Sequence, residues 1–400
     1  MSRRSVVLVS VYSLVAILVA SGLFVAVNAA EGGVDTEGLA RKLVNECAGV
    51  REGEAVLISG GVRDLTLLED LAVNVRKVGA SPILTIYSDR MTKRMFDDVP
   101  TKYDTQAPDL EMKLAGVFSA MISVDAGESE GLLAHIPAER MAARAKAEQP
   151  VGDLILKRGV RQVNLGNGLY PTADLAKRYE VPREELAKIF WSGVNVDYAK
   201  LQATGEAVKA ALAAGKEAHI TSPDGTDLRA RIEGRQIFVS DGVISSEDVK
   251  KGGPACSTWL PAGEVYLTAV PGTAEGKVVV ARQFFRGGTI EGLTLTFKAG
   301  KLVSMTAKSG IEPLKALYEA SGTGKDAFGI IDVGINPNVK IVPGSRMVAW
   351  MPAGMVTVQV GGNQWAGGES DSTFGLSSFL TGATLKIDGK TIVEGGTLKM

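Results

Sequence analysis

Short apolar runs alternate with longer amphipathic segments through the first half of this 400-residue chain, and this alternation limits the fold more than any other feature. Buried strands are predicted at Ala55–Ser59, Pro82–Tyr87 and Val117–Val124, and amphipathic helices at Gly38–Val50 and Leu65–Val78. Strands that alternate with helices form βαβ units, which pack around a parallel sheet. The sequence therefore predicts an N-terminal α/β domain over residues 31–215.

The pattern changes near Lys216. After a long helical region, Leu175–Ala214, short β-type runs begin at His219 and are separated by turn signals such as Gly287-Gly288. Closely spaced strands with glycine-containing turns are typical of antiparallel sheets. We predict a β-rich, barrel-like α+β domain over residues 216–400, with one helix inserted at Pro313–Ser321.

Residues 1–30 have the composition of an export signal. Arg3 and Arg4 are followed by a stretch without charge, Ser5–Ala30, which ends in small residues before Glu31. This pattern predicts a cleaved signal peptide and a periplasmic or extracellular protein. The apolar run is also long enough to span a bilayer. An uncleaved signal anchor that holds the protein at a membrane is therefore the alternative.

The net charge and the two cysteines indicate whether a nucleic-acid partner or a disulfide is expected. The formal net charge is −1 at pH 7, so no nucleic-acid partner is expected. Two cysteines are present, Cys47 and Cys256, and they are far apart in the sequence. A disulfide needs its two Cα atoms within about 7 Å. We predict two buried free thiols.

Glu264 is the first candidate functional residue. It lies between a Pro-Ala-Gly turn and a predicted strand, Val265–Thr268, whose β-branched and aromatic residues suit a sheet. A carboxylate at such a junction is held rigidly and can point into a cleft, as a metal ligand must. A solvated glutamate at a strand edge gives the same pattern, so the composition leaves both interpretations open.

The residues around Glu264 resemble a motif of a known family. Trp259–Thr268 is similar to the Leu-Pro-x-Gly-Glu-Val-Tyr segment of the aminopeptidase T family of two-metal aminopeptidases. Further similarities follow the order of that family, at Gly79–Pro82, Tyr170–Thr172, Thr221–Leu228, Gly334–Pro337, Gly367-Gly368 and Ile387–Gly389. The resemblance implies an α/β domain followed by a β-rich metal domain, and a homodimer whose active sites face an inner chamber.

The resemblance also implies two divalent cations held by two glutamates, two histidines and an aspartate, which would polarise the peptide carbonyl and activate a water. Glu264 corresponds to the first of these ligands. The chain has only two histidines, His135 and His219, and both lie outside the metal-binding segments. Zinc and cobalt favour imidazole ligands, so the metal centre of the family is expected to be lost. The replaced ligand positions are Ile330, Thr357, Gly375 and Ser377.

Two further expectations concern acidic residues and the first histidine. Asp332 lies two positions from Ile330, and the period of a strand places both on one face. Glu264, Asp332, Glu369 and Asp371 could together form an all-oxygen site for Ca²⁺ or Mg²⁺, or could be solvated acids. His135 stands in an apolar stretch and is predicted to be packed inside the protein.

Three hypotheses of function follow. The preferred one is a catalytically inactive homologue that needs no cofactor and keeps its chamber as a binding or structural module, with a peptide or an amino acid as ligand. The second is an aminopeptidase with an altered site for zinc, cobalt, magnesium or calcium. The third is a metal-free hydrolase in which Cys256 is the nucleophile and His219 the base.

Overall fold

The chain folds into one parallel sheet and two antiparallel sheets, with helices packed around the parallel one. The computed structural model describes residues 35–125 and 127–400. The helices are α1 (Thr36–Lys42), α2 (Leu65–Lys77), α3 (Asp89–Asp97), α4 (Asp109–Ala115), α5 (Ala138–Arg158), α6 (Ala173–Tyr179), α7 (Arg183–Val194), α8 (Tyr198–Ala213), α9 (Ser246–Lys251) and α10 (Glu312–Ala320).

The strands, in chain order, are β1 (Ala55–Gly61), β2 (Ser81–Tyr87), β3 (Ala120–Val124), β4 (Arg161–Leu165), β5 (Glu217–Thr221), β6 (Asp227–Arg231), β7 (Ile237–Ser240), β8 (Ser257–Leu260), β9 (Glu264–Thr268), β10 (Glu275–Phe285), β11 (Gly288–Lys298), β12 (Lys301–Thr306), β13 (Phe328–Gly334), β14 (Val356–Gly361), β15 (Gly375–Leu380), β16 (Thr384–Ile387), β17 (Lys390–Glu394) and β18 (Thr397–Leu398).

The parallel sheet has the strand order β2-β1-β3-β4-β8. Its first four strands alternate with helices, as the sequence pattern predicts. The antiparallel strands form an eight-stranded sheet, β12-β11-β10-β6-β5-β16-β17-β18, and a five-stranded sheet, β15-β14-β13-β9-β7. The predicted fold class, an α/β part followed by a β-rich part, is confirmed.

Strand β8 connects the two parts of the fold. It follows the predicted boundary near Lys216 in sequence, yet it pairs with β4 in the parallel sheet. The turn Pro261–Gly263 then leads the chain directly into β9 of the five-stranded sheet. Gly263 has φ +130°, and a Cβ atom there would lie 2.7 Å from the Cβ of Asn336. Glycine is required at this point because the two chain segments approach so closely.

Several local predictions need revision. The segment Pro82–Tyr87 does form a strand, but the prediction that it is buried is wrong, because β2 is an edge strand. Ile83 and Tyr87 are 41% and 44% exposed. Helix α5, the longest among the described residues, was not predicted, since Pro150 in its interior is typical of a helix break. The helical insertion was predicted correctly and corresponds to α10.

The cysteine prediction is confirmed, while the predicted export segment cannot be compared with the structure. Cys47 and Cys256 are both buried free thiols in the described part of the chain. Residues 1–30, predicted as a signal peptide or a signal anchor, lie outside the described residues. Within residues 35–125 and 127–400, no helix is both long enough and apolar enough to cross a membrane.

Neighbouring residues on β1 and β2 test the exposure of the edge strand. Ile58 is fully buried and is the register partner of Leu84, which is 37% exposed. We expect Ile58→Ala to lower the free energy of unfolding by about 2–5 kcal/mol. Leu84→Ala should lower it by less than about 1 kcal/mol, because folding buries less apolar surface at that position. Urea denaturation measures both changes. An equal loss for the two variants would show that β2 is covered in solution.

Candidate functional site

Glu264 opens β9 and is buried, with 5% of its surface exposed. The side-chain amide of Asn167, in the loop after β4, donates a hydrogen bond of 2.7 Å to Oε1 of Glu264. The same amide donates to the carbonyl oxygen of Pro261 at 3.1 Å. The parallel sheet therefore orients this carboxyl group. The interpretation of Glu264 as a solvated residue at a strand edge is wrong, because the turn at Pro261 directs it inward.

The register of the five-stranded sheet places most of the candidate residues together. Asp332 on β13 lies opposite Tyr266 on β9 and Thr357 on β14. Ile330 on β13 and Ser377 on β15 lie in the adjacent row of the sheet, where both are register partners of Gln359 on β14. Side chains alternate between the faces of a sheet with a period of two. The side chains of these residues and of Glu264, two positions before Tyr266, therefore share one face of the sheet, which we call the site face.

The remaining replaced position, Gly375, begins β15, where it lies opposite Gly361 and is exposed. Ser377 donates a hydrogen bond of 3.3 Å to Oε1 of Gln359, and Nε2 of Gln359 donates to the carbonyl oxygen of Gly362 at 2.6 Å. The side chains at this end of the site face are thus satisfied within the protein.

Aromatic side chains cover much of the site face. Ile330 is fully buried and forms a cluster with Phe238, Tyr266 and Ala366. Three of the four tryptophans of the chain pack against this cluster. The ring centroids are 5.5 Å apart for Phe238–Tyr266 and Tyr266–Trp365, 5.7 Å for Trp259–Trp365, 5.9 Å for Trp259–Tyr266 and 5.2 Å for Trp350–Phe379. Sequence analysis missed this cluster, because its members come from strands and loops that are far apart in the sequence.

A short loop carries Trp365 over the cluster. The side chain of Asn363 closes the loop by accepting a hydrogen bond from the Ser370 amide at 2.8 Å and by donating one to the Gly329 carbonyl at 3.2 Å. At the surface, Nη1 of Arg235 lies 2.8 Å from Oε1 of Glu369. This ion pair joins the loop to the adjoining turn. We call residues 363–370 the tryptophan loop.

Asp332 and Thr357 are the polar residues at the middle of the site face. They are 1% and 0% exposed. Both carboxyl oxygens of Asp332 and the hydroxyl oxygen of Thr357 have no hydrogen-bond partner within the described residues. Burial of an uncompensated carboxylate is costly, and this cost disfavours the ionised form.

The protonation of the two carboxyl groups follows from their burial. Desolvation raises the pKa of Glu264 to about 7, although the hydrogen bond from Asn167 acts in the opposite direction. Desolvation raises the pKa of Asp332 well above its usual range, and the neighbouring charge of Glu264 raises it further. Near neutral pH the pair therefore holds at least one proton.

The side chains of the site face do not supply the ligands that the metal pair of the aminopeptidase T family requires. His219 lies on β5, in the eight-stranded sheet, with its Nε2 2.8 Å from a carboxylate oxygen of Asp227. The prediction that His135 is packed is wrong: its side chain is 48% exposed and lies 2.8 Å from Asp97, since an apolar sequence context does not guarantee burial. Zinc and cobalt favour sites that include imidazole nitrogen over sites built from oxygen alone. Neither histidine is on the site face.

The four-carboxylate alternative is not assembled either. Glu369 and Asp371 are exposed, and Glu369 is occupied by Arg235. Among residues 35–125 and 127–400, no group of three or more histidine, cysteine, aspartate or glutamate side chains is placed to hold a metal. Glu264 and Asp332 are the two carboxyl groups that the structure does bring together.

The proposed nucleophile and base of the metal-free hydrolase are not brought together. Cys256 precedes β8 of the parallel sheet, and its thiol contacts the carbonyl oxygen of Asp248 at 3.6 Å. Burial raises the pKa of this thiol, which disfavours the reactive thiolate. His219 belongs to a different sheet and is bonded to Asp227. This arrangement is that of a structural cysteine.

Comparison with known proteins connects this geometry to a family. Residues 35–326, well over half of the chain, match the family described as thermophilic metalloproteases (M29). The chain belongs to the M29 family. This is the aminopeptidase T family, so the resemblance seen in the sequence is confirmed. The M29 match includes Glu264 and ends shortly before Ile330.

Two solved structures share the fold. Wild-type AmpT from Thermus thermophilus matches with a TM-score of 0.69 and 20% identity, over 91% of this chain and 99% of that chain. The 2,5-dihydroxypyridine dioxygenase from Pseudomonas putida KT2440 matches with a TM-score of 0.58 and 14% identity, over 91% and 96%. At these identities the likeness shows the fold alone. No curated protein sequence matches the chain.

The raised pKa of Glu264 gives a test of its environment. Its pKa is about 7 in the folded chain and near 4.5 in a free glutamate, so between these values the folded state holds more protons than the unfolded state. The stabilising contribution of protonated Glu264 should be fully present below about pH 4.5. It should be lost as the pH rises through 7, by up to about 1.4 kcal/mol per pH unit. Glu264→Gln should remove this component. Urea denaturation at several pH values measures the difference, and parallel pH profiles for the two proteins would contradict the expectation.

Ile330 gives a second test. We expect Ile330→Glu to lower the free energy of unfolding by roughly 2–4 kcal/mol, because it places an uncompensated charge among aromatic rings. Ile330→Val serves as the matched control, with a cost of about 0.5–1.5 kcal/mol. Thermal and urea unfolding measure both variants. If divalent metal restored the stability of Ile330→Glu above that of the wild type, the site would have kept its capacity for metal.

Proposed function

We propose that this chain is a catalytically inactive member of the M29 family, which uses the site face as a binding module. The observation that carries the proposal is the position of Ile330. It occupies a place where the family resemblance implies a metal-binding glutamate, and it is packed inside an aromatic cluster. An aliphatic side chain supplies no metal ligand and excludes water from the position.

The other changes act in the same direction. Thr357 and Ser377 carry hydroxyl groups at positions where the resemblance implies a histidine and an aspartate, and the hydroxyl of Ser377 is bonded within the protein. Two-metal hydrolysis requires both cations to be held near the scissile carbonyl. The loss of several ligands therefore removes the centre as a unit. In agreement, the family match ends before this stretch of the chain.

An aminopeptidase with an altered site is the alternative. Its support is the pair of buried carboxyl groups, Glu264 and Asp332, which could accept a hard cation such as Ca²⁺ or Mg²⁺. A site of this kind needs six or more oxygen ligands for Ca²⁺, so solvent and backbone would have to supply most of them. A metal-free hydrolase has less support, because Cys256 precedes β8 of the parallel sheet, whereas His219 lies on β5 of the eight-stranded sheet.

Metal dependence decides between the proposal and its alternative. We expect added zinc or cobalt to produce no hydrolysis of leucine p-nitroanilide, and EDTA to leave the thermal midpoint unchanged. A metal bound at a thousand times its Kd would stabilise the fold by about 4 kcal/mol, which a thermal scan detects easily. Metal-dependent turnover that Glu264→Ala abolishes would contradict the proposal. A midpoint that falls on chelation and recovers with calcium or magnesium would favour the altered site.

Export and dimer formation complete the proposal. The uncharged segment Ser5–Ala30 supports export with cleavage before Ala30 or Glu31. Sequencing the N-terminus of the protein from its native host tests this. Recovery of intact Met1 in the membrane fraction would show an anchored protein. The family resemblance supports a homodimer, which light scattering of the purified protein would detect.

A further inference from the structure

A single row of side chains crosses the site face from one edge of the sheet to the other. The row contains one residue from each of the five strands, Phe238, Tyr266, Asp332, Thr357 and Phe379, which are successive register partners. Neighbouring strands are about 4.8 Å apart, so these five side chains are neighbours on the site face. Two polar residues thus lie at the centre of the row, with aromatic residues on both sides.

The unsatisfied hydrogen-bonding capacity of the site face is concentrated at this centre. Three acceptor atoms, Oδ1 and Oδ2 of Asp332 and Oγ1 of Thr357, have no partner among the described residues, although both side chains are almost completely buried. In the next row the hydroxyl of Thr268 accepts from Nε of Arg235 at 3.0 Å. Gln359 is also bonded. A buried polar group without a partner opposes folding, so the centre of the row is suited to a donor from outside the chain.

The chemistry of that donor follows from the acceptors and their surroundings. A primary ammonium group carries three N–H donors and a positive charge, which match three acceptors and the two carboxyl groups of Asp332 and Glu264. The flanking rings add a favourable interaction with a cation. A quaternary ammonium has no N–H to donate, and a carboxylate or phosphate would be repelled.

We propose that the site face binds a primary alkylammonium group directly, without metal, through Asp332 and Thr357. The carbon chain of this ligand lies against the rings of Tyr266 and Trp365. The inference rests on the proposed function, because it requires that no metal pair occupies the face. The positive charge of the bound ammonium favours the ionised form of Asp332, which then accepts a charge-assisted hydrogen bond, the strongest kind available to the ligand.

The tryptophan loop is the entry to this site. It places Trp365 against Tyr266 of the central row, with ring centroids 5.5 Å apart, and is held at the surface by the ion pair of Arg235 and Glu369. The side chain of Glu369 is 59% exposed, so water screens the ion pair and its contribution to loop closure is small. In this proposal, the ligand reaches the central row by displacement of Trp365.

The test uses the full mature chain in buffer with EDTA and follows tryptophan fluorescence, since three of the four tryptophans pack around the site. Three primary amines are titrated: n-butylamine, leucinamide and Nα-acetyl-lysinamide. A saturable change with at least one of them, and none with tetramethylammonium or butyrate, supports the proposal. The amine that binds most tightly identifies the source of the group as a free amine, a chain N-terminus or a lysine side chain.

Variants of the central row test the assigned contacts. Asp332→Asn should weaken amine binding at least tenfold, and Thr357→Val should weaken it several-fold. Asp64→Asn is the matched control, because Asp64 is also a carboxyl group whose pKa is raised by burial, but it follows β1 of the parallel sheet and lies outside the hydrogen bonds that reach Glu264. This variant should bind as the wild type does. The thermal midpoint of each variant, with and without amine, shows that a loss of binding is not a loss of folding.

Two outcomes would overturn the inference. In the first, the wild type shows no saturable response to any of the three amines, or Asp332→Asn binds them equally well. In the second, binding appears only when zinc or cobalt is added. The second outcome would also contradict the proposed function, whereas the first, combined with absent peptidase activity, would leave the proposed function in place.

Discussion

The burial of two carboxyl groups on one face of a sheet is the constraint on which the rest of this structure depends. Glu264 and Asp332 are removed from water by aromatic rings, and an ionised carboxylate in such a place is strongly disfavoured unless it is paired. The chain supplies one strong hydrogen bond, from Asn167 to Glu264, and none to Asp332 among the described residues. The face is therefore asymmetric. One carboxyl group is fixed by the fold and the other is left to its protonation or to a ligand.

A series of hydrogen bonds connects this face to the parallel sheet. Asn167 donates to Glu264, its own backbone amide donates to the side chain of Asn164 at 2.9 Å, and Asn164 donates to Asp125 at 2.9 Å. Asp125 follows β3, so the series reaches the carboxyl ends of the parallel strands. Buried polar networks of this kind fix the relative positions of the elements that they join. A substitution at Asn164 should thus affect Glu264 without contacting it.

The sequence predicts the helices and strands better than it predicts which of them lie side by side in the fold. The alternation of helices and strands, the position of Glu264 at a turn and the common face of Ile330 and Asp332 all follow from local periodicity. The exposure of β2 does not, because an apolar strand has the same composition at the edge of a sheet as in its middle. The pairing of β8 with β4 depends on contacts between residues almost a hundred positions apart. The aromatic cluster has the same origin, since its rings come from several strands and loops.

The edge strand β2 has a consequence for how copies of this protein meet. The amide of Ser81 donates inward to Glu54, and successive residues of a strand direct their backbone groups to opposite sides. Pro82 therefore faces outward, where it has no N–H to offer. An incoming strand would find a missing donor at the start of the edge, which disfavours continuous pairing and fibre growth. Assembly across this edge therefore depends more on the exposed side chains of Ile83, Leu84, Ile86 and Tyr87 than on a continuous backbone ladder.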